Sequence, residues 1–166
     1  MLPDSQLKDI LIHAGLIDET SWETVASYAA SSHVPMASAL SEKGVVTDEQ
    51  LGQAIASKLQ VPFVVLSKLS IPEEVFRIVP EKIARKQKAV AFARDADGVK
   101  VATVNPGNQA FFAFVAKKVG IRVSIYFATE RDIETTLQVY KKVLQKTVDE
   151  LLKEDIKKAT ATVLED

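Results

Sequence analysis

The sequence predicts an α+β fold in which a helical half precedes a small sheet. A pattern of two helices joined at a glycine occurs twice within residues 1–62. The spacing of apolar residues changes from helical to alternating after Phe63. We therefore expect a helical subdomain of two tandem hairpins over residues 1–62 and an α/β sandwich of order β-β-α-β-α over residues 63–145. Residues 146–166 are expected to form a helical extension and a linker.

The two helical hairpins share the same boundary residues. Gly15 and Gly44 each follow a short apolar-periodic segment, where a glycine ends a helix at low cost. Two aliphatic residues and a capping residue come next, Asp18 in the first repeat and Thr47 in the second. Gln50 lies three residues after Thr47 and completes a capping box. Hairpins this short bury their apolar faces only by packing on each other.

The second helix of each repeat is expected to turn one apolar face inward. The inward residues are Trp22, Val25, Ala26 and Ala29 in the first repeat and Leu51, Ile55 and Leu59 in the second. Pro35 and Pro62 then force the residues before them out of helical geometry, so each repeat ends at a Val-Pro pair.

The sheet half begins with Phe-Val-Val-Leu at residues 63–66, a short apolar run that predicts a strand. Two short helices are expected to begin at Pro72 and Pro80, with each proline at the first helical position. Residues 89–106 are rich in β-formers on both sides of Asp95-Ala96-Asp97-Gly98, which predicts a tight β-hairpin.

A helix, a strand and a long helix complete the expected sheet half. Asn108 and Gly120 bound the first helix, and residues 121–129 form the strand. Thr129 opens the long C-terminal helix, with Asp132 at its third position. Apolar residues recur along it every three or four positions, at Ile133, Leu137, Tyr140, Leu144, Val148 and Leu151. We expect the helices to cover one face of the sheet.

Composition narrows the class of protein. A chain of 166 residues with 47% apolar and 26% charged residues can bury about 70% of its unfolded surface. Its net charge of −1 argues against a general attraction to nucleic acid or membranes. Cysteine is absent, which excludes disulfides, zinc-thiolate sites and thiol catalysis. The sequence has neither a secretory signal pattern nor an apolar run of about 18 residues, so we expect a cytoplasmic location.

Catalytic and metal-binding motifs are not found in the sequence. His13 and His33 stand outside any metal-ligand or nucleophile motif, so we expect surface or boundary positions for both. The turn Asn105-Pro106-Gly107-Asn108 lacks the lysine and second glycine of a P-loop and is expected to be an ordinary strand-to-helix turn. Basic residues cluster nearby in sequence, at Arg77, Lys82, Arg85, Lys86 and Lys88. They suggest a solvated helix face or a docking patch for an acidic partner.

These features together resemble the N-terminal domain of type II secretion and type IV pilus assembly ATPases. The resemblance rests on the two Gly-aliphatic-aliphatic-cap units, the exit LGQAIASKLQVPFVVL, the segment Pro72–Ala89, the hairpin end VATVNPGN and the closing ATERDIETTLQVY. It covers residues 5–145. It implies a non-catalytic regulatory and docking domain at the front of a hexameric motor, and these 166 residues are expected to be a fragment of a longer chain.

The resemblance also implies partners and cofactors. The expected partners are the cytoplasmic parts of inner-membrane assembly proteins and the chain's own ATPase domain, with no nucleic acid and no direct membrane contact. No cofactor is expected in this fragment, because ATP and Mg²⁺ would bind a later domain and no Walker A motif occurs here.

Part of that family binds cyclic di-GMP through an Arg-Leu-Gly opening and a later glutamine in each repeat. The openings fall on Gln6-Leu7-Lys8 and Pro35-Met36-Ala37, and the glutamine positions fall on Ala29 and Lys58. Both arginines, which would offer a bidentate fork to phosphate or guanine, are replaced. We expect cyclic di-GMP to bind weakly or not at all.

Two hypotheses follow. The first is a protein-docking domain, for which the candidate contacts are Leu7, Ile10, Leu11, Arg77, Arg85 and Lys86. The second is a nucleotide or second-messenger receptor with a rearranged site, in which Lys8, Lys58 or Arg85 contacts phosphate. A stand-alone enzyme is less well supported, because no nucleophile, metal set or acid-base pair is found.

Overall fold

The computed structural model describes residues 2–141, in which four helices form the first part of the fold. They are α1 (Asp4–His13), α2 (Glu19–Ser32), α3 (Met36–Glu42) and α4 (Asp48–Leu59). We call residues 2–62 the helical half and residues 63–141 the sheet half. The predicted pair of tandem helical hairpins is confirmed, with α1–α2 as the first and α3–α4 as the second.

The residues expected to bound these helices do so. Gly15 and Gly44 adopt positive φ angles of 72° and 67°. The Asp18 carboxylate accepts a hydrogen bond from the Ser21 amide at 2.7 Å, which caps α2. Thr47 and Gln50 form the reciprocal capping box at the start of α4, at 3.0 and 3.1 Å. Local sequence signals therefore set the length of the helices.

In the helical half, each helix of the first hairpin packs against a helix of the second. Helix α2 lies against α3, and α1 lies against α4. Leu11, Leu40 and Val46 are almost fully buried at the centre, together with Trp22. Ala26, expected to be inward, is only half-buried.

The sheet half contains a mixed sheet with helices around it. Its described elements are a 3₁₀ turn (Leu66–Lys68), α5 (Glu73–Phe76), α6 (Glu81–Gln87), β1 (Ala89–Asp95), β2 (Gly98–Thr103), α7 (Gln109–Val119), β3 (Val123–Phe127) and α8 (residues 130–141). The strand order is β1-β2-β3, with β1 and β2 antiparallel and β2 and β3 parallel. The predicted order β-β-α-β-α is confirmed.

The hairpin between β1 and β2 forms at the predicted residues. Asp95 pairs with Gly98 across a two-residue loop, and the Asp95 carboxylate accepts hydrogen bonds from the amides of Asp97 and Gly98. Asn108 caps α7 through the Phe111 amide, and Gly120 ends it with a φ of 77°.

The strand predicted at residues 63–66 is wrong. Only Phe63 forms a bridge, to Phe127, and the extended run stops at once. The cause is Asp132, whose buried carboxylate accepts hydrogen bonds from the amides of Leu66 at 2.6 Å and Ser67 at 3.1 Å. These amides are thus bound to a side chain and the backbone turns away from the sheet.

We expect the helices to cover only one face of the sheet, but the structure differs. Four consecutive residues of β1, Ala89 to Phe92, are buried, and consecutive strand residues point to opposite faces. Both faces of this part of the sheet are therefore covered. The reason is that α5, α7 and α8 all contribute side chains to the same buried cluster as the strands.

Pro72 and Pro80 also differ slightly from expectation, since each precedes its helix as the capping residue.

Helix α8 begins as predicted, because Thr129 Oγ1 accepts a hydrogen bond from the Asp132 amide. Ile133 and Leu137 of its predicted apolar stripe are buried. Tyr140 stacks on Phe76 at 4.5 Å between ring centroids. Leu144, Val148, Leu151 and the predicted linker of residues 146–166 lie outside the described residues. The boundary between the halves at residue 62 stays a prediction.

Contacts at the start of α8 join the two halves. Thr129 Oγ1 donates to the Asp48 carboxylate at 2.5 Å, and Arg131 donates to Ser41 Oγ at 2.7 Å. The approach of α4 is so close that a Cβ on Gly52 would lie 2.3 Å from the ring of Phe63. These contacts fix an orientation between the halves that sequence spacing did not predict.

Candidate functional site

An open groove with a volume of about 1400 Å³ lies between α1 and α4. We call it the α1–α4 groove. The other helix pair, α2 and α3, is also in contact, and Ala29 of α2 and Ala39 of α3 are buried. Ile10 of α1 and Leu59 of α4 are among the residues that line the groove.

The groove has an apolar floor. Ile10 is buried beneath the groove that it lines, whereas Leu59, the last residue of α4, is 37% exposed. Leu16 and Phe63 are half-buried and complete the floor. An exposed leucine beside half-buried aromatic and aliphatic side chains offers contact area to an apolar partner.

The rim of the groove is polar and carries both signs of charge. Its polar residues are Gln6, Asp9, His13, Thr47, Glu49, Gln50, Gln53, Ser57 and Lys58. Glu49 is already paired with Lys68 at 3.2 Å. No group of three or more His, Cys, Asp or Glu side chains in residues 2–141 is arranged to hold a metal ion. The groove therefore combines apolar contact area with hydrogen-bonding amides, as protein-docking grooves do.

The six positions aligned with the cyclic di-GMP motif are only partly brought together. Gln6 and Lys58 both line the α1–α4 groove. Lys8 lies outside it and forms an ion pair with Glu19 at 2.7 Å. Ala29 is buried in the core, while Pro35 and Ala37 are exposed at the start of α3. The four positions outside the groove therefore do not join Gln6 and Lys58 there.

The predicted docking residues of α1 require a correction. Leu7, Ile10 and Leu11 are buried, with 5%, 8% and 0% exposure, because they form the apolar face that α1 turns to the other helices. Leu7 and Leu11 cannot meet a partner in this conformation. Only Ile10 also reaches the groove, at its floor.

The predicted basic patch lies in the sheet half, away from the groove. Arg77 and Arg85 each pair with a glutamate one helical turn earlier, Glu73 and Glu81. Lys86 is exposed. Pairing within each helix removes much of the positive charge that an acidic partner would meet, so the solvated-face interpretation fits Arg77 and Arg85.

Sequence reasoning missed the groove residues Leu59, Leu16 and Phe63. Leu59 follows Ile55 at helical spacing and was therefore expected to be buried. It lies in the last turn of α4, before Gln60 takes the left-handed conformation. The periodic pattern identifies the face of α4 but carries no signal that α1 leaves the end of this face open.

No helix in residues 2–141 has the length and apolar content that crossing a bilayer requires.

The amino-acid sequence is similar to a known domain family and to a known protein. The family model of the MshEN domain matches residues 59–144. The type IV pilus assembly ATPase PilB of Thermus thermophilus is 26% identical over 129 residues, which cover 76% of this chain and 14% of PilB. The chain thus spans about a seventh of that relative's length.

Two solved structures share the fold. A structure of MshE with cdg covers 81% of this chain and 97% of that one, at a TM-score of 0.57 and 20% identity. A structure of the N-terminal domain of XpsE covers 83% and 97%, at a TM-score of 0.51 and 12% identity. The family model matches more than half of the chain, so the resemblance to the N-terminal domains of type II secretion and type IV pilus ATPases is confirmed, and the chain belongs to the MshEN domain family.

Proposed function

We propose that this chain is the non-catalytic regulatory and docking domain of a type IV pilus assembly or type II secretion ATPase. Its work would be to bind a cytoplasmic segment of an inner-membrane assembly protein in the α1–α4 groove. ATP and Mg²⁺ would act in a separate domain of the longer motor. Family membership supports the assignment to a pilus or secretion ATPase. The open groove with its apolar floor is the observation that supports a docking role.

The groove suits an amphipathic helix. Two flanking helices with an apolar floor between them form the receptor in helix-in-groove recognition, where side chains of one helical face are the anchors. Leu59 is the groove residue best placed to contact such a face, because it is apolar and 37% exposed. The glutamines and Lys58 on the rim would then hydrogen-bond the polar edges of the bound helix.

Leu59→Glu is expected to weaken binding of the cytoplasmic part of the assembly protein by about tenfold or more, because it places a charge against an apolar anchor. Isothermal titration of the purified cytoplasmic parts from the same cell with the 166-residue chain measures this. Val139→Glu is the matched control, since Val139 is 52% exposed on α8 and lies outside the groove. Equal binding by both variants and the unchanged chain would rule the groove out as the docking site.

A second candidate function is a second-messenger receptor, because Gln6 and Lys58 lie in the same groove. A lysine offers a phosphate a point charge, without the bidentate geometry of arginine. The other four positions cannot compensate, since Lys8 is paired with Glu19, Ala29 is buried, and Pro35 and Ala37 have no side-chain donor.

We therefore expect titration of this chain with cyclic di-GMP to give no saturable heat, while the MshE domain serves as the positive control. A micromolar dissociation constant would overturn this expectation and favour the receptor. Loss of that binding in Lys58→Ala would then place the ligand in the α1–α4 groove.

A further inference from the structure

Charge is distributed very unevenly between the two halves. Residues 1–62 carry eight acidic and three basic side chains, whereas residues 63–141 carry eight acidic and thirteen basic ones. The two parts therefore have net charges of −5 and +5, although the whole chain is close to neutral at −1. A molecule with opposite charges on its two parts attracts another copy in a head-to-tail orientation.

The outer side of α7 concentrates the positive charge. This helix contains no acidic residue, and Phe114, Lys117 and Lys118 share one exposed side of it, because they are three and four positions apart. Phe114 is 50% exposed. Neither lysine forms an ion pair within residues 2–141, although Lys118 donates a hydrogen bond to the Ile78 carbonyl at 3.0 Å. We call Phe114, Lys117 and Lys118 the α7 face.

The outer side of α1 and α2 concentrates negative charge. Asp9, Glu19 and Glu23 surround Lys8, whose pKa is raised, first by its hydrogen bond to Glu19 and then by the charges of all three carboxylates. One lysine offsets only one of these three charges. Ile12 lies one turn after Lys8 on α1 and is 37% exposed. We call Asp9, Ile12, Glu19 and Glu23 the acidic face.

We propose that the α7 face of one copy of this chain docks on the acidic face of a second copy. Each face has one exposed apolar side chain, Phe114 or Ile12, beside a cluster of charges, and the net charge of the cluster is positive on the α7 face and negative on the acidic face. A symmetric contact of either face with itself would bring like charges together. The contact is therefore heterologous, of the kind that builds rings or filaments. Asp9 also lies on the rim of the α1–α4 groove, whereas Ile12, Glu19, Glu23 and the α7 face lie outside it, so the contact does not depend on the proposed function of the groove.

Sedimentation of the 166-residue chain over a range of concentrations tests the contact. At an ionic strength of about 10 mM, where the Debye length is about 30 Å, the weight-average mass should rise with concentration. At about 1 M salt, where the Debye length is about 3 Å, it should return to 18.2 kDa. A mass that stays at 18.2 kDa under both conditions would overturn the proposal.

Charge-swap variants identify the faces. Lys117→Glu/Lys118→Glu makes both faces acidic, and Glu19→Lys/Glu23→Lys makes both basic, so each variant alone should be monomeric. An equimolar mixture should regain association, because each variant then supplies the face that the other lacks. All four positions are exposed, and thermal unfolding of each variant verifies its fold.

Lys82→Glu/Lys86→Glu is the control, because it makes the same change in net charge on α6, where both lysines are exposed. It should self-associate like the unchanged chain. Loss of association in this control, association of either swap variant alone, or a mixture that stays monomeric would each contradict the proposed pair of faces.

Discussion

Gly98→Ala is expected to lower the free energy of unfolding by about 3 kcal/mol or more, the largest effect of any glycine substitution in the described chain. Gly98 begins β2 with a φ of 145°, a conformation that residues with a side chain rarely adopt. A Cβ there would lie 2.1 Å from the carbonyl oxygen of Arg122, which is backbone and cannot swing aside. The same carbonyl accepts a 2.8 Å hydrogen bond from the Val99 amide, so relieving the clash would separate β2 from β3.

Urea unfolding followed by circular dichroism measures the effect. Gly107→Ala is the control, because an added Cβ there would meet only Asn105 Oδ1, at 3.5 Å. It should change stability by about 0.5 kcal/mol or less. If both variants unfold at the same urea concentration, the parallel pairing of β2 and β3 beside Gly98 is not as described.

Asp132→Asn is expected to cost about 3 kcal/mol. The substitution keeps the size of the side chain but replaces one carboxylate oxygen by an NH₂ group. In the native chain the two oxygens accept from separate amides, those of Leu66 and Ser67. An asparagine leaves one of these donors facing another donor, at a site where Asp132 is only 8% exposed. A buried donor without an acceptor loses its hydration and gains nothing in return.

Glu134→Gln is the matched control for the loss of a carboxylate on the same helix. Glu134 is 60% exposed and lies 3.9 Å from Lys88, so its removal should change stability by about 0.5 kcal/mol or less. Chemical denaturation of both variants, fitted with a common slope, gives the two differences. A loss in Asp132→Asn no larger than in Glu134→Gln would show that the carboxylate does not hold residues 66–67.

Features set by neighbours in sequence could be predicted. The helix caps at Asp18, Thr47 and Asn108 and the hairpin at Asp95 depend on bonds between residues two or three positions apart. Side-chain type alone therefore determines them. The apolar stripe of α8 is equally local, because it follows from the helical repeat.

Features set by distant contacts could not be predicted. The run at residues 63–66 has the composition of a strand. It does not continue as one, because the Leu66 amide donates to Asp132, which lies 66 positions later in the chain. Tyr140 likewise bonds the backbone of Ile71, 69 positions away. No periodic pattern contains these partners.

The candidate site was predictable only in part. Its setting followed from the family resemblance, and alignment on Gly15 and Gly44 selected Gln6 and Lys58, which line the groove. Leu7 and Leu11 of the docking face predicted on α1 are buried, because an apolar residue at helical spacing can face the core or a partner equally well. The difference depends on the separation of α1 from α4, which side-chain volumes on several helices decide together.

The central claim, docking in the α1–α4 groove, is tested most directly by photocrosslinking in the native cell. A photoreactive amino acid replaces Leu59 in the groove and, as control, Val139 on α8, and mass spectrometry identifies the attached protein. We expect the position in the groove, and not the control, to capture an inner-membrane assembly protein of the pilus or secretion system. Capture of that protein only from position 139, or equally from both positions, would contradict docking in the groove.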